Sequence, residues 1–137
     1  TDDGSSYLEL HGGLAPTFDE SVSLGAGQTL YWEETWFPVA GIGAFVYADQ
    51  DGAVNLRAVG QGLQVAIFPV RRLRGELTIS VAGTAIARLP VALKAAQPFA
   101  QIIALPANVP SRAAVAMQLL DAEGGVTLQF EQEMTLR

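Results

Sequence analysis

The strongest pattern in this 137-residue chain is an alternation of polar and apolar residues at its C-terminal end. From Val126 to Arg137 every odd position is polar or charged, and every even position except Gln132 is apolar. Successive side chains of a β-strand point to opposite faces, so this period of two predicts a strand with one buried and one solvated face. The residues before it, from Asp121 to Gly125, predict a turn because glycine adopts positive φ at little steric cost.

Short segments with the same character recur through the chain. Including the last one, we predict strands over residues 53–59, 63–70, 76–81, 85–93, 101–105, 113–120 and 126–137, with further candidates at 7–11, 28–37 and 44–47. Residues 113–120 are rich in Ala and Leu, which favour helices, but a run this short between turn signals favours a strand. The turn at Ala82-Gly83-Thr84 predicts a hairpin between two of these strands.

Turn signals separate these segments at intervals of about eight to twelve residues, with no long amphipathic helix between them. That spacing predicts an all-β protein, an antiparallel β-sandwich of the immunoglobulin-like kind. A step in composition near Gly41-Ile42-Gly43 divides the chain. We expect residues 1–41 to be an acidic, aromatic-rich β segment that docks on or completes a sandwich formed by residues 42–137.

Composition narrows the function classes. Half of the residues are apolar and 16% are charged, which indicates a folded chain rather than a disordered one. No apolar run approaches the roughly 20 residues of a membrane-spanning helix, so no membrane span is predicted. The chain has no Cys, which excludes disulfides, thiolate zinc sites and thiol nucleophiles.

The formal net charge of −6 is unevenly distributed. Residues 1–51 contain nine acids and no base, whereas residues 52–137 contain eight bases and five acids. Nucleic acid binding needs a basic footprint, so we predict no nucleic acid partner. The one basic cluster, Arg71-Arg72-Leu73-Arg74, is interpreted either as a solvated loop or as a docking point for the acidic N-terminal third.

Catalytic groups are sparse. His11 is the only histidine, and a single His without Cys does not supply the ligands of catalytic zinc. No Gly-x-Ser-x-Gly nucleophile elbow accompanies it, so we interpret His11 as a structural or surface residue. Glu33 and Glu34 are neighbours on a predicted strand and point to opposite faces, which prevents them from flanking one glycosidic bond. We predict no catalytic residue, metal or cofactor.

Trp32, Glu34 and Trp36 share one face of the predicted strand over residues 28–37. Two indole planes with a carboxylate between them are suited to stacking on a pyranose ring and accepting its hydroxyl hydrogens. The alternative is that the tryptophans pack against a core or another domain, with Glu34 at the solvated margin, because Trp is usually largely buried.

Two segments of the sequence show a family resemblance. Tyr-Leu-Glu-Leu-His-Gly-Gly-Leu-Ala-Pro-Thr-Phe at residues 7–18 and Trp-Glu-Glu-Thr-Trp-Phe-Pro-Val at residues 32–39 resemble the last strands of bacterial galactose-mutarotase-like proteins. Those proteins contain a large β-supersandwich and act on or bind carbohydrate. The resemblance implies that this chain is the tail of such a protein, with the family's catalytic His and Glu lying upstream of Thr1. None of them is assigned here.

The sequence therefore predicts a non-catalytic C-terminal accessory module of a larger bacterial carbohydrate-related protein, with the upstream domain as its partner. The alternative is a carbohydrate-binding module that stacks sugars on Trp32 and Trp36. A glycosidase or epimerase fragment is a third possibility, and oligomerisation through an unpaired edge strand is a fourth.

Overall fold

Eight β-strands follow one another along the chain in the computed structural model, which describes residues 12–15, 17 and 19–136. The strands are β1 (Tyr47–Asp49), β2 (Gly52–Val59), β3 (Gly62–Pro69), β4 (Leu73–Val81), β5 (Thr84–Leu93), β6 (Phe99–Ala104), β7 (Arg112–Leu120) and β8 (Val126–Thr135). They form two four-stranded antiparallel sheets, ordered β1-β2-β3-β6 and β5-β4-β7-β8. The predicted all-β antiparallel sandwich is confirmed.

One apolar core is shared by the two sheets. From β3, Leu63, Val65 and Ile67 are completely buried, and from β4 so are Leu77 and Ile79. These positions alternate along each strand, because every second side chain of a strand lies on the same face. The apolar positions that alternate in the sequence are therefore the positions that form the core between the two sheets.

The outer face of the first sheet carries a second apolar cluster. It consists of Ile42, Ala53, Ala66 and Phe68, with Phe37 and Val39 packed against them. The covering segment is fixed by a hydrogen bond of 2.7 Å that Asn55 Nδ2 donates to the carbonyl oxygen of Ile42. Gly41 has a φ of +73°, and a Cβ there would lie 2.5 Å from Pro98 Cγ. Only glycine fits this approach without displacing the segment.

The predicted hairpin is the β4–β5 connection. Val81 pairs with Thr84, and the two residues between them, Ala82 and Gly83, have φ angles of 48° and 75°. Positive φ at both central positions defines a type I′ turn, whose twist suits a two-residue hairpin. The register shifts between Ile79 and Ser80, so β5 carries one extra residue at a bulge.

The chain divides into two compact units, Thr1–Trp36 (unit 1) and Phe37–Arg137 (unit 2). The described residues of unit 1 contain no strand, so the prediction of a strand over residues 28–37 is wrong. A strand needs a neighbour to satisfy its backbone groups, and among the described residues none pairs with this segment. The predicted strand at 44–47 is seen as β1, displaced toward Asp49. The candidate at 7–11 lies outside the described residues, and docking of residues 1–41 on the sandwich stays a prediction.

Candidate functional site

The three residues predicted to bind carbohydrate are all exposed in unit 1. Trp32 is 60% exposed, Trp36 is 51% exposed, and Glu34 is exposed as well. Trp36 Nε1 donates a hydrogen bond of 3.1 Å to Glu34 Oε2. The structure thus brings Glu34 and Trp36 together, whereas within the described residues no hydrogen bond or ring contact joins Trp32 to them.

The carboxylate of Glu34 occupies the space directly above Gly12. A Cβ built on Gly12 would lie 2.2 Å from Glu34 Oε2 and 2.7 Å from Oε1, so any larger residue at position 12 must displace the carboxylate. Glu34 is therefore oriented by the indole N–H on one side and by the bare backbone of Gly12 on the other. An ionised carboxylate has about four acceptor positions, so most of them stay open to solvent or to a ligand hydroxyl.

Tyr31 is exposed in the same segment, although strand alternation would place it on the face opposite Trp32, Glu34 and Trp36. Strand alternation assigned Tyr31 and Glu33 to the face opposite Trp32, but the segment is not a strand and Tyr31 is 89% exposed. The same finding removes the argument that Glu33 and Glu34 point in opposite directions. Among the described residues, neither Trp32 nor Trp36 is packed into a core. Packing against another domain stays open.

A second group of polar residues joins two turns of unit 2. Asp51 is the one buried charged residue of the described chain, at 7% exposure, and its Oδ1 accepts a short hydrogen bond from Arg71 Nε. This hydrogen bond raises the pKa of Arg71 above its usual value. Asp49 Oδ1 accepts bonds of 2.8 and 3.2 Å from the backbone N–H groups of Asp51 and Gly52. These carboxylates hold the β1–β2 and β3–β4 turns together.

Tyr47 completes that group. Its hydroxyl donates a hydrogen bond of 3.0 Å to Asp49 Oδ2, and its ring stacks on Phe130 with centroids 5.1 Å apart. Burial raises the pKa of Tyr47, and the hydrogen bond to Asp49 and the nearby negative charges raise it further. Because both oxygens of Asp49 already accept hydrogen bonds, we interpret this group as structural.

The arginines of the basic cluster at residues 71–74 lie in two different environments. Arg71 turns to Asp51, the last acid of the base-free stretch. Arg72 and Arg74 are exposed, as in the solvated interpretation, and they line a surface depression together with Lys94 from the end of β5. Sequence reasoning missed Lys94, which lies 20 positions further along the chain and joins the arginines only through the β4–β5 register.

Metal and membrane functions gain no support from the described part of the chain. No group of three or more His, Cys, Asp or Glu side chains in residues 12–15, 17 and 19–136 is placed to hold a metal ion. Those same residues form no helix with the length and apolarity that crossing a bilayer requires. His11 lies outside them.

Comparison with protein-family models, with curated proteins and with solved structures finds no match to this chain. Function is therefore argued from the exposed residues themselves.

Proposed function

We propose that this chain is a non-catalytic C-terminal accessory β-sandwich module of a larger bacterial carbohydrate-related protein, and that unit 1 carries its docking surface for the upstream domain. The observation that carries the proposal is the run of exposed apolar side chains in unit 1. These are Leu14, Val22, Leu24, Leu30, Tyr31, Trp32 and Trp36.

Such a run has a physical consequence. Soluble domains rarely leave contiguous apolar surface uncovered, and a large exposed patch marks an interaction surface. Covering it is favourable by about 25 cal/mol for each Å² of apolar area removed from water. Four of the seven side chains are aliphatic, which suits burial against protein more than stacking on a sugar ring. A domain of the same polypeptide is the occupant we favour, because a covalent link gives it a high effective concentration.

The two tryptophans of the chain make this testable, since both lie in unit 1. Acrylamide quenching of their fluorescence is measured in the 137-residue chain and in the longer polypeptide that includes the upstream domain. Tryptophans of that upstream domain are first replaced by Phe, so that only Trp32 and Trp36 report. We expect weaker quenching and a blue-shifted emission in the longer polypeptide, because docking removes the indoles from water. Equal quenching in both would overturn the proposal.

Absence of catalysis is tested separately. We expect no hydrolysis or epimerisation of common glycosides and free sugars by the isolated chain above a Glu34→Gln control. Turnover that disappears with this substitution would show that the module is an enzyme.

The immunoglobulin-like class belongs to the same proposal. If β2 to β8 are compared with strands A, B, C, C′, E, F and G, then A pairs with B, B with E, C with F and F with G, as in immunoglobulin-type sandwiches. Strand β5 then lies beside β4 as C′ lies beside C in variable-type domains. These pairings support the class, and β1 is an additional strand before A.

Carbohydrate binding is the second candidate, favoured by one specific contact. The hydrogen bond from Trp36 Nε1 fixes the Glu34 carboxylate beside an exposed indole plane, which pairs a stacking surface with an oriented acceptor. A bound pyranose would stack on Trp36 or Trp32 and donate a hydroxyl to Glu34. The two candidates compete for the same side chains, so the quenching experiment also decides whether the site is accessible in the longer polypeptide.

The binding test uses glycan titrations followed by tryptophan emission. Trp36→Ala and Trp32→Ala should each weaken binding about tenfold, because each removes a ring whose apolar area a bound sugar would cover. Phe45→Ala is the matched control, since it removes an exposed aromatic ring from unit 2. Gly12→Ala should weaken binding without loss of folding, because it displaces only the flexible end of Glu34. No emission change across neutral and acidic glycans would exclude this candidate.

A further inference from the structure

The depression between the ends of β4 and β5 carries three cationic side chains on one small area of the second sheet. It has a volume of about 520 Å³ and is lined by Arg72, Leu73, Arg74, Ala92, Leu93 and Lys94. We call Arg72, Arg74 and Lys94 together the basic corner. Leu73 and Leu93 pair across the strands and are buried, so the flanking residues Arg72, Arg74 and Lys94 lie toward the outer face.

The basic corner differs from the other cations of the sandwich in its charge balance. Three of the four other cations described in the sandwich pair with a carboxylate: Arg71 pairs with Asp51, Arg88 Nη1 lies 3.7 Å from Glu76 Oε1, and Arg112 Nε lies 3.7 Å from Glu133 Oε2. The fourth, Arg57, donates a hydrogen bond of 2.7 Å to Gln64 Oε1. In the described part of the chain, no carboxylate lies within ion-pair distance of Arg72, Arg74 or Lys94. Glu76, the next acid along β4, already forms the ion pair with Arg88.

Protection of a sheet edge does not account for this arrangement. Edge strands often carry lysine to prevent pairing with another chain, and β5 is an edge strand, so Lys94 alone could serve that purpose. Arg74 lies in β4, which pairs with β7 only from Glu76 onward, and Arg72 precedes β4, so neither arginine belongs to the edge strand β5. Three like charges around one small depression repel one another, and a bound anion removes that repulsion.

The chemistry of the corner indicates the kind of anion. The planar guanidinium group forms paired hydrogen bonds with the two oxygens of a carboxylate or with a sulfate, whereas lysine contributes a point charge. The small side chain of Ala92 keeps the space between the cations open. The depression is within the range of about 300–1,000 Å³ typical of ligand sites.

We propose that the basic corner binds the carboxylate or sulfate groups of an acidic polysaccharide. The choice of a polysaccharide rests on the carbohydrate-related function proposed above, whereas the anion specificity rests on the corner itself. The site is separate from Trp32, Glu34 and Trp36, and it requires neither stacking nor a catalytic group.

The test compares polymers and matched variants. Binding of the full 137-residue chain to polygalacturonate, dextran sulfate, polyphosphate and neutral dextran is measured by affinity electrophoresis at about 50 mM and about 300 mM salt. The site variant is Arg72→Gln/Arg74→Gln/Lys94→Gln. The control variant is Arg57→Gln/Arg88→Gln/Arg112→Gln, which changes the formal net charge of −6 by the same three units. Circular dichroism establishes that both variants fold.

We expect the wild type to bind at least one acidic polymer, more weakly at high salt, and the site variant to bind it about tenfold less tightly or worse. The control variant should stay within about twofold of the wild type. Arg72→Lys/Arg74→Lys should lose part of the affinity at unchanged charge, because lysine lacks the paired donors.

Three results would overturn the inference. They are no binding of either acidic polymer by the wild type, equal loss in the site and control variants, and equally tight, equally corner-dependent binding of polyphosphate. The first two exclude the corner as a site, and the third replaces the polysaccharide by a general polyanion. None of them changes the quenching of Trp32 and Trp36, so the accessory function stands or falls separately.

Discussion

The two units of this chain contain similar kinds of apolar residue and use them in opposite ways. In unit 2, leucine, isoleucine and valine alternate with polar residues and are buried between two sheets. In the described residues of unit 1, valine, leucine, tyrosine and tryptophan lie in the solvent. The two units differ in how their apolar residues are spaced. Alternation places the apolar side chains of a strand on one face, which can be buried, whereas the consecutive residues Leu30-Tyr31-Trp32 do not form one apolar face. Unit 2 has a buried core of its own, whereas the large apolar side chains described in unit 1 are exposed.

The comparison is tested most strongly by truncating one leucine in each unit. Leu77 is completely buried, so Leu77→Ala should lower the free energy of unfolding by about 3–5 kcal/mol through lost contacts and a cavity. Leu24 is 58% exposed, and Leu24→Ala should change it by less than about 0.5 kcal/mol. Urea unfolding followed by far-ultraviolet circular dichroism measures both. Comparable losses in the two variants would show that unit 1 contributes to the core of the isolated chain.

Two glycines, one in each unit, test the same contrast between a packed and an exposed unit through backbone contacts. A Cβ on Gly75 in β4 would lie 1.7 Å from the carbonyl oxygen of Leu120, an atom that moves only with its strand. Gly75→Ala should therefore cost about 1–3 kcal/mol or more. A Cβ on Gly13 in unit 1 meets nothing within 4 Å, so Gly13→Ala should be close to neutral. Thermal unfolding compares the two, and a neutral Gly75→Ala would mean that β4 and β7 separate easily at this point.

Much of unit 2 could be predicted from the sequence, because its information is local. Seven of the strands, β2 to β8, lie where alternation and turn residues place them. The β4–β5 turn also follows from local residues. The prediction of a strand over residues 28–37 was wrong because it also used only local information. Aromatic and β-branched residues favour a strand, but only a neighbouring strand can satisfy the hydrogen bonds of its backbone.

The basic corner could not be predicted for a reason that lies in the hairpin register. Counting back from the turn, where Val81 pairs with Thr84, a regular hairpin would place Leu93 opposite Arg72. The register shift between Ile79 and Ser80 adds one residue on β5 and pairs Leu93 with Leu73 instead, and Lys94, the residue after β5, lines the same depression as Arg72 and Arg74. A bulge of one residue has no distinct sequence signature here, yet it shifts the end of β5 by one position relative to the arginines.

A substitution in the β4–β5 turn should increase the stability of the fold rather than decrease it. Ala82 has a φ of 48°, which costs an L-residue with a Cβ roughly 1 kcal/mol, and asparagine tolerates this conformation better. Ala82→Asn creates the Asn-Gly pair typical of type I′ turns, and it should raise the free energy of unfolding by about 0.5–1 kcal/mol. Ala82→Pro, whose ring fixes φ near −65°, should instead destabilise the hairpin. Urea midpoints of the two variants test both signs, and a destabilising Ala82→Asn would contradict the turn type.

The smallest expected effect concerns the contact that joins the edges of the two sheets. Burial, then the hydrogen bond to Asp49, raises the pKa of Tyr47, so the native state keeps this proton at a pH where the unfolded chain releases it. Its contribution to stability is complete below about pH 10, the unfolded value, and is lost as pH rises toward the folded pKa. The stability difference between the wild type and Tyr47→Phe should therefore shrink above about pH 10. Circular dichroism in urea from about pH 8 to about pH 11.5 measures it, and a constant difference between the wild type and Tyr47→Phe would show that the hydroxyl is equally solvated in both states.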